Sequence, residues 1–335
     1  MREDFGEALL IVPYLGYGDI LYHTPLIRIL SAIYKGLDVW TFNTEPLIGN
    51  PYIKNLWHIT SDKAPLDPWD FYFEKIFMTG VNNQRLQEYY PSNFYTPEYL
   101  TAATIHSLLT DNEKHLTLNW KETAYFKEIA NEINSLRNGE LVVAINPSIG
   151  WPSRTLPYEY YKEIIKWITG AGDLVVLVGK EISPSNLAKG IQKEVKTNEQ
   201  KSLYPTEKLL GDRVLDLTNK LTLEECAAVY SICDIALNTE NGNMVISGCN
   251  ENCWNLYIPT LTAPEFRIPW RKGSQGYRTY VIHNDQKYYP GSDYKQLRGG
   301  YDYIKAKSLL PSIEQIWKGY LNVRHLIWGG RNYAD

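Results

Sequence analysis

Residues 8–42 read ALLIVPYLGYGDILYHTPLIRILSAIYKGLDVWTF. The apolar run at 8–13 ends at a proline and two glycines, which is typical of a buried strand entering a tight turn. Apolar side chains then recur at helical spacing, which predicts one helix from residue 19 to its closing glycine, Gly36. The face expected to be buried consists of Leu26, Ile29, Leu30 and Ile33. Strand, glycine turn, helix and strand in this order predict a βαβ unit and therefore a parallel sheet.

The same alternation of strands and helices starts again in the second part of the chain. Asn138-Gly139 ends an amphipathic helix, and the apolar run LVVAIN begins a new series. We expect two Rossmann-like α/β domains, residues 1–138 and 139–335, because 335 residues exceed one ordinary core. A last helix is predicted at 309–323, and the sequence leaves open that it packs back on the first domain.

Composition and charge exclude several classes of protein. Lys and Arg number 34 against 38 Asp and Glu, and the net charge of −4 indicates no general polyanion-binding surface. No apolar run approaches the ~20 residues of a transmembrane helix, and the opening stretch is too acidic for a secretory signal. Four cysteines argue against a disulfide scaffold and fit a reducing compartment. We therefore expect a cytoplasmic protein with no transmembrane anchor, and peripheral membrane association stays open.

The first candidate site is the turn Gly16-Tyr17-Gly18-Asp19, where the first strand passes into the first helix. Ligands of parallel sheets bind beyond the carboxyl ends of the strands, so Asp19 suits a general base or an orienting group. The alternative is N-capping, for which Asp is among the favoured residues. His23 follows Asp19 by four residues and either faces the same cleft or packs within the helix.

A second candidate is the loop PSIGWPSRTLP at 147–157, after the first strand of the second half. Ser148 supplies a hydroxyl and Arg154 a positive charge beside backbone N–H groups at a helix start, which together suit a diphosphate. The alternative is an ordinary loop whose arginine points into water. Gly179 and Glu181, after the next strand, are weaker candidates for contacts with a nucleoside, since Glu181 equally suits the solvated first turn of a helix.

A third candidate is the turn between the strand DIALN and the helix NMVISG. A glycine turn at a helix start offers N–H groups to phosphate, and its carboxylate can accept hydrogen bonds from sugar hydroxyls. Simple capping is the alternative. The residues of this candidate are Glu240, Asn241, Gly242, Asn243 and Met244.

Motifs for metals and for metal-bound nucleotides are absent from the sequence. It contains no GxxxxGK[ST], HExxH, CxxC or DxD. We therefore expect neither a metal nor a cofactor, and we interpret Cys249 and Cys253 as free thiols, with their role left open.

In their order and spacing, these segments resemble the heptosyltransferase-type glycosyltransferases, known as glycosyltransferase family 9. The resemblance covers most of the chain. It is carried by ALLIVPYLGYGDILYHTPLIRIL, NPYIKNLW, INPSIGWPSRTLPYEYYKEII and VLDLTNKLTLEECAAVYSICDIALNTENGNMVISG. It implies the GT-B fold, in which two Rossmann-like domains face each other across a cleft. The amino-terminal one would be the acceptor domain and the carboxyl-terminal one the nucleotide-sugar domain.

The resemblance also implies roles for individual residues. Asp19 matches the proposed base of the family, Arg154 its phosphate-binding lysine, and Ser148 a loop hydroxyl near the diphosphate. Residues 240–244 match its nucleotide-binding turn, Asp-Thr-Gly-Pro-Met-His, although Val245 stands where the family has histidine. Because of these departures, neither the donor sugar nor the acceptor is implied.

The expected function is that of an inverting, metal-independent glycosyltransferase. It would move a sugar from a nucleoside-diphosphate donor to a hydroxyl of a glycan, glycolipid or other acceptor. One carboxylate suffices for this, whereas a glycoside hydrolase needs two flanking the bond. Three alternatives stay open: a transferase that glycosylates a hydroxymethylated base in DNA, a nucleotide-sugar epimerase, and a non-catalytic sugar-nucleotide-binding protein. The oligomeric state does not follow from the sequence.

Overall fold

The computed structural model divides the chain into two compact units. The first comprises Met1–Asn119 and Trp270–Gln275, and the second comprises Trp120–Pro269 and Gly276–Asp335. The residues that the structure describes are 5–14, 16–59, 75–79, 98–100, 115–147, 156–180, 206–260, 268–271, 274–282 and 310–331.

The first unit is built on a parallel sheet of five strands among the described residues. Its order is β3-β2-β1-β4-β5, and every neighbouring pair is parallel, so the parallel sheet predicted from the opening stretch is confirmed. The central strand is buried on both faces, which is why its sequence is a continuous apolar run. The strands are β1 (Phe5–Val12), β2 (Tyr34–Thr41), β3 (Asn55–His58), β4 (Lys75–Thr79) and β5 (Glu98–Leu100).

The chain after β1 forms two helices where the sequence predicts one. Helix α1 (Tyr17–Leu21) ends after a single turn, and helix α2 (Thr24–Ile33) starts again beyond it. Pro25 lies in the first turn of α2, where its missing N–H costs nothing because that position has no intrahelical acceptor. Gly36 does not close the helix but lies within β2.

The buried face of α2 also differs from the predicted one. Ile33 is 45% exposed, since the chain passes directly into β2 after it. Because α2 begins anew at Thr24, its buried face does not continue that of α1. Its orientation is set by packing on β1 and β2. The residues that it buries are Thr24, Pro25, Leu26, Ile27 and Leu30.

The second unit carries a six-stranded parallel sheet within the described part of the chain. The order is β13-β10-β9-β6-β7-β8, again with every pair parallel. A short antiparallel pair, β11 (Trp270–Arg271) with β12 (Ser274–Gln275), is grouped with the first unit. The six strands are β6 (Val142–Ile145), β7 (Leu174–Leu177), β8 (Val214–Asp216), β9 (Ile235–Asn238), β10 (Trp254–Tyr257) and β13 (Thr279–Val281).

The helices of the second unit lie in predicted segments, although the last one was expected at 309–323 and extends to Arg331. They are α3 (Ala124–Leu136), α4 (Tyr158–Gly170), α5 (Leu223–Ile232), α6 (Gly242–Gly248) and α7 (Ile313–Arg331). Short 3-10 helices lie at Glu45–Leu47 in the first unit and Thr206–Lys208 in the second. The sequence of residues 157–169 predicts a helix with Tyr161, Ile164, Ile165 and Ile168 on one face, and the structure confirms that these residues of α4 are buried.

The two units divide between Asn119 and Trp120, ahead of the boundary expected at residue 138. Asn138-Gly139 does end helix α3, but that helix packs on α5 and therefore belongs to the second unit. Thr123, which caps α3, also donates a hydrogen bond to Glu225 Oε1 at 3.3 Å. The end of a helix can thus be recognised from the local sequence, whereas the boundary between two units depends on which elements that helix packs against.

Helix α7 is fixed to the second unit by a buried carboxylate. Asp173, immediately before β7, is fully buried and accepts hydrogen bonds from Leu141 N at 3.0 Å and Arg324 Nε at 2.8 Å. The hydroxyl of Tyr320 donates to the same carboxylate, and burial raises the pKa of this tyrosine. This packing lies within the second unit.

Candidate functional site

The candidate turns lie at the switch points of the two sheets. In the first sheet β1 lies between β2 and β4, and in the second β6 lies between β7 and β9. Successive crossovers leave such a central strand in opposite directions, which opens a crevice at the carboxyl ends of the strands. The turn after β1 contains Asp19, and the turn after β9 contains Glu240.

Asp19 lies in the first turn of α1 and does not cap it. Gly16 is the N-cap residue, and it has no side chain with which to cap. The N-capping alternative for Asp19 is therefore wrong. Asp19 is half-buried in this position.

The position of the Asp19 carboxylate explains why residue 16 is glycine. The backbone of Gly16, with φ −77° and ψ 132°, suits any residue. A Cβ added there would lie only 2.9 Å from Oδ2 of Asp19. A side chain at residue 16 would therefore displace the carboxylate of Asp19.

His23 joins the two ends of this turn. Its Nδ1 lies 2.7 Å from the backbone oxygen of Asp19, and its ring stacks on Tyr14 with 5.1 Å between centroids. A carbonyl only accepts, so Nδ1 carries the proton and donates it. Burial lowers the pKa of His23 despite the nearby Asp19 carboxylate, which favours the neutral ring. His23 thus contacts the backbone of the candidate base, Asp19.

Tyr17 and Glu45 form a contact that the sequence did not reveal. The hydroxyl of Tyr17, the first residue of α1, donates to Oε2 of Glu45 in the 3-10 helix that follows β2. Glu45 N in turn donates to Asn43 Oδ1 at 3.3 Å. Burial and the Glu45 carboxylate raise the pKa of Tyr17 to about 12, so the phenol stays protonated. This contact braces α1 against the loop after β2 at the same edge of the sheet.

In the second unit, Glu240 is a buried carboxylate directly after β9. It is 3% exposed and accepts a hydrogen bond at 3.2 Å from Oγ1 of Thr260, which follows β10. The carboxyl ends of two neighbouring strands are thereby linked. A buried carboxylate with a fixed hydroxyl partner has a defined direction, which suits recognition of hydroxyl groups.

Asn241 is the N-cap of α6 and uses its side chain for that purpose. Its Oδ1 accepts from Asn243 N at 2.9 Å and from Met244 N at 3.3 Å. Two N–H groups that the sequence assigned to a phosphate are therefore engaged by the cap, since asparagine is a strong capping residue. Gly242 begins the helix behind this cap, and Met244 is buried.

A network of side-chain hydrogen bonds lies next to the turn that follows β9. Asn238 Nδ2 donates to Ser247 Oγ at 3.0 Å and to Asn255 Oδ1 at 3.1 Å. Asn243 Oδ1 accepts from the hydroxyl of Tyr230 at 3.2 Å, which ties α6 to α5. Sequence reasoning missed Tyr230, Ser247 and Asn255, because polar side chains at buried positions leave no periodic signal.

The other predicted donor residues are only partly described. Ser148, Arg154 and Glu181 lie outside the described residues. Gly179 follows β7 with a φ of +128°, a conformation that favours glycine, and its carbonyl accepts from Asn219 N at 2.8 Å. The loops after β7 and β8 are therefore joined at the edge where the candidate site lies.

The cysteines are free, as the sequence predicts for Cys249 and Cys253. Cys226 is buried, and burial raises the pKa of its thiol to about 12, so it is unreactive at neutral pH. Within the described ranges, no three residues of His, Cys, Asp or Glu are arranged to hold a metal ion. Likewise, none of the helices described there is both long and apolar enough to cross a bilayer.

The architecture is that of solved glycosyltransferase structures of the GT-B type. A glycosyl transferase family 9 protein from Veillonella parvula is 14% identical, with a TM-score of 0.62 over 97% of this chain and 98% of the other. The E. coli ADP-heptose lipopolysaccharide heptosyltransferase II is 16% identical, with a TM-score of 0.53 over 88% and 98%. The iron-containing dodecameric glycosyltransferase TibC from E. coli is 11% identical, with a TM-score of 0.59 over 97% and 78%.

At these identities the likeness establishes the fold. The predicted fold class, α/β with two Rossmann-like domains of the GT-B type, is confirmed. Neither protein-family models nor curated protein sequences give a match to this chain.

Proposed function

We propose that this protein is an inverting, metal-independent glycosyltransferase with a nucleoside-diphosphate sugar as donor. The observation that supports this most is the half-buried carboxylate of Asp19, at the switch point of the first sheet in a GT-B fold. Solvent-accessible carboxylates at such points suit proton abstraction from a ligand.

In the proposed reaction, Asp19 takes the proton of the acceptor hydroxyl. The acceptor oxygen then forms a bond to the anomeric carbon while the bond from that carbon to the phosphate oxygen breaks. The electron pair of the broken bond leaves with the nucleoside diphosphate. A single displacement inverts the anomeric centre and needs one basic carboxylate only.

The donor is proposed to bind the second unit. Glu240, whose direction is fixed by Thr260, would accept hydrogen bonds from donor hydroxyls. Arg154 and Ser148, on the loop after β6, would hold the diphosphate, whose negative charge grows as the sugar departs. Fixed positive charge from Arg154 then takes the role that a divalent cation has in other transferases. This reading predicts that Arg154→Ala weakens nucleoside-diphosphate binding and that Arg154→Lys restores part of it.

The first experiment measures nucleoside-diphosphate release from ADP-, UDP- and GDP-sugars, with donor binding checked by thermal shift. The panel begins with an ADP-sugar, because a solved neighbour is named for ADP-heptose. We expect nucleoside-diphosphate release to persist in excess EDTA. We expect Asp19→Asn to abolish it. Activity that EDTA removes and Mg²⁺ or Mn²⁺ restores would contradict metal independence.

The same panel separates the remaining classes of protein. Binding without release, unchanged by Asp19→Asn, would indicate a sugar-nucleotide-binding protein. Interconversion of the donor sugar with no acceptor present would indicate an epimerase. Addition of a DNA duplex containing hydroxymethylated bases tests the DNA-modifying alternative, in which transfer occurs only with that duplex.

A further inference from the structure

We propose that His23 is a positioning residue that fixes the Asp19 carboxylate for catalysis. This inference rests on the proposed function, in which Asp19 is the base. Helix α1 has five residues, which are too few to hold their own conformation.

The carbonyl groups at the end of α1 depend on residues that follow it. The backbone oxygen of Asp19 accepts from His23 Nδ1 at 2.7 Å, and that of Ile20 accepts from His23 N at 3.0 Å. The carbonyl of Leu21 accepts from Thr24 Oγ1 at 2.8 Å. The last carbonyls of a helix have no intrahelical partner, so such side chains decide how the helix ends. His23 therefore holds the backbone of Asp19 itself.

The stacked ring of Tyr14 adds a connection across the turn. Tyr14 belongs to the strand side, where its N–H donates to Val12 O at 2.9 Å, while His23 is the N-cap residue of α2. The rings are inclined by 29°, a stacked arrangement that holds the two side chains together. Through Tyr14 and His23, the turn is fixed at both ends with Asp19 between them.

Asp19 lies within this turn, so a shift of the turn moves its carboxylate, whose Oδ2 lies 2.9 Å from the place that a Cβ on residue 16 would take. A misplacement of about 1 Å in a catalytic group can cost about 10²-fold in rate. The geometry therefore points to His23 as the residue that keeps Asp19 in its reactive position. Donor affinity should not depend on it, since the proposed donor residues belong to the second unit.

The test compares His23→Asn with His23→Gln. An asparagine amide nitrogen occupies nearly the position of Nδ1 and can still donate to the Asp19 carbonyl, whereas that of glutamine lies farther out. We expect His23→Gln to lower kcat by about tenfold or more with donor KM unchanged, and His23→Asn, which keeps the hydrogen bond but loses the ring stacked on Tyr14, to lower kcat only severalfold. Equal losses in both variants, with a matching fall in melting temperature, would overturn the proposal in favour of a purely structural role.

A second variant keeps the test decisive if His23→Gln does not fold. Tyr14→Leu removes the stacked ring and leaves the hydrogen bond, so a several-fold fall in kcat at constant KM supports the proposal. An unchanged kcat would overturn it. Asp19→Asn is measured alongside, because activity that survives this change refutes the proposed function, whereas its loss beside an active His23→Gln variant refutes only the role of His23.

Discussion

The turn at Asp19 and the turn at Glu240 have equivalent positions in their sheets but differ in how deeply the acidic residue is buried. Each follows a strand at the switch point of a parallel sheet and leads into a short helix. In the first unit the N-cap is a glycine, and the carboxylate of Asp19 is half-buried. In the second the N-cap is Asn241, whose side chain closes the helix start, and Glu240 is buried. An accessible carboxylate suits proton transfer, whereas a buried, hydrogen-bonded one suits binding.

The largest expected effect comes from Asp19→Asn. The change keeps the size of the side chain but removes its basicity, so we expect turnover to fall by about 10²-fold or more. Since Gly16 and not Asp19 is the N-cap residue, the melting temperature should hardly change. Product release and thermal denaturation of the same sample give both values. Retained turnover, or a clear loss of stability, would count against the assigned role.

Gly16→Ala tests the position of the same carboxylate. The new Cβ would lie 2.9 Å from Oδ2 of Asp19, so the carboxylate must move although the backbone conformation suits alanine. We expect kcat to fall by about tenfold with little change in stability. Gly170→Ala is the matched control, because an added Cβ there has no atom within 4 Å. A variant as active as the control would show that the position of the carboxylate is not critical.

Glu240→Gln tests the binding side of the comparison. Glutamine can still accept from Thr260 Oγ1, so the fold should be preserved while the charge is lost. If Glu240 accepts hydrogen bonds from donor hydroxyls, donor affinity should fall by about fivefold, because charged acceptors form the stronger bonds. Calorimetry with the best donor of the panel measures this. Unchanged affinity would place the donor hydroxyls elsewhere.

The smallest effect is expected from Asn241→Ala. The substitution removes the acceptor for Asn243 N and Met244 N, and loss of such a cap costs about 1 kcal/mol of stability. Denaturant titration measures this cost. Asn241→Asp retains the capping oxygen and should therefore stay close to the parent protein. Equal destabilisation by both variants would argue against the cap as the cause.

The sequence was sufficient for features that repeat along an element. The apolar run of β1 and the buried face of α4, from Tyr161 to Ile168, follow from periodicity and are confirmed. It was insufficient where one side chain ends a helix. The pattern around residues 19–34 continues smoothly through His23, although His23 and Thr24 bond the end carbonyls of α1 and separate the two helices.

Contacts between distant residues were also beyond sequence reasoning. Glu45 lies 28 residues from Tyr17, and Thr260 lies 20 residues from Glu240, so no spacing rule connects them. The carboxylates of Asp19 and Glu240 both follow apolar strands, and nothing local tells that only one is buried. Such differences arise from the packing of other segments on each turn.

The attachment of α7 to Asp173 has a consequence for synthesis on the ribosome. Arg324 is 151 residues downstream of the carboxylate that it pairs with, so Asp173 leaves the ribosome long before Tyr320 and Arg324. An unpaired carboxylate is costly to bury. Strand β7 begins beside the buried Asp173, so we expect its packing to be completed only after α7 has been synthesised. The first unit has most of its residues available early, since domains fold in order from the amino terminus. Completion of the second unit therefore waits for the arrival of α7, the last helix among the described residues.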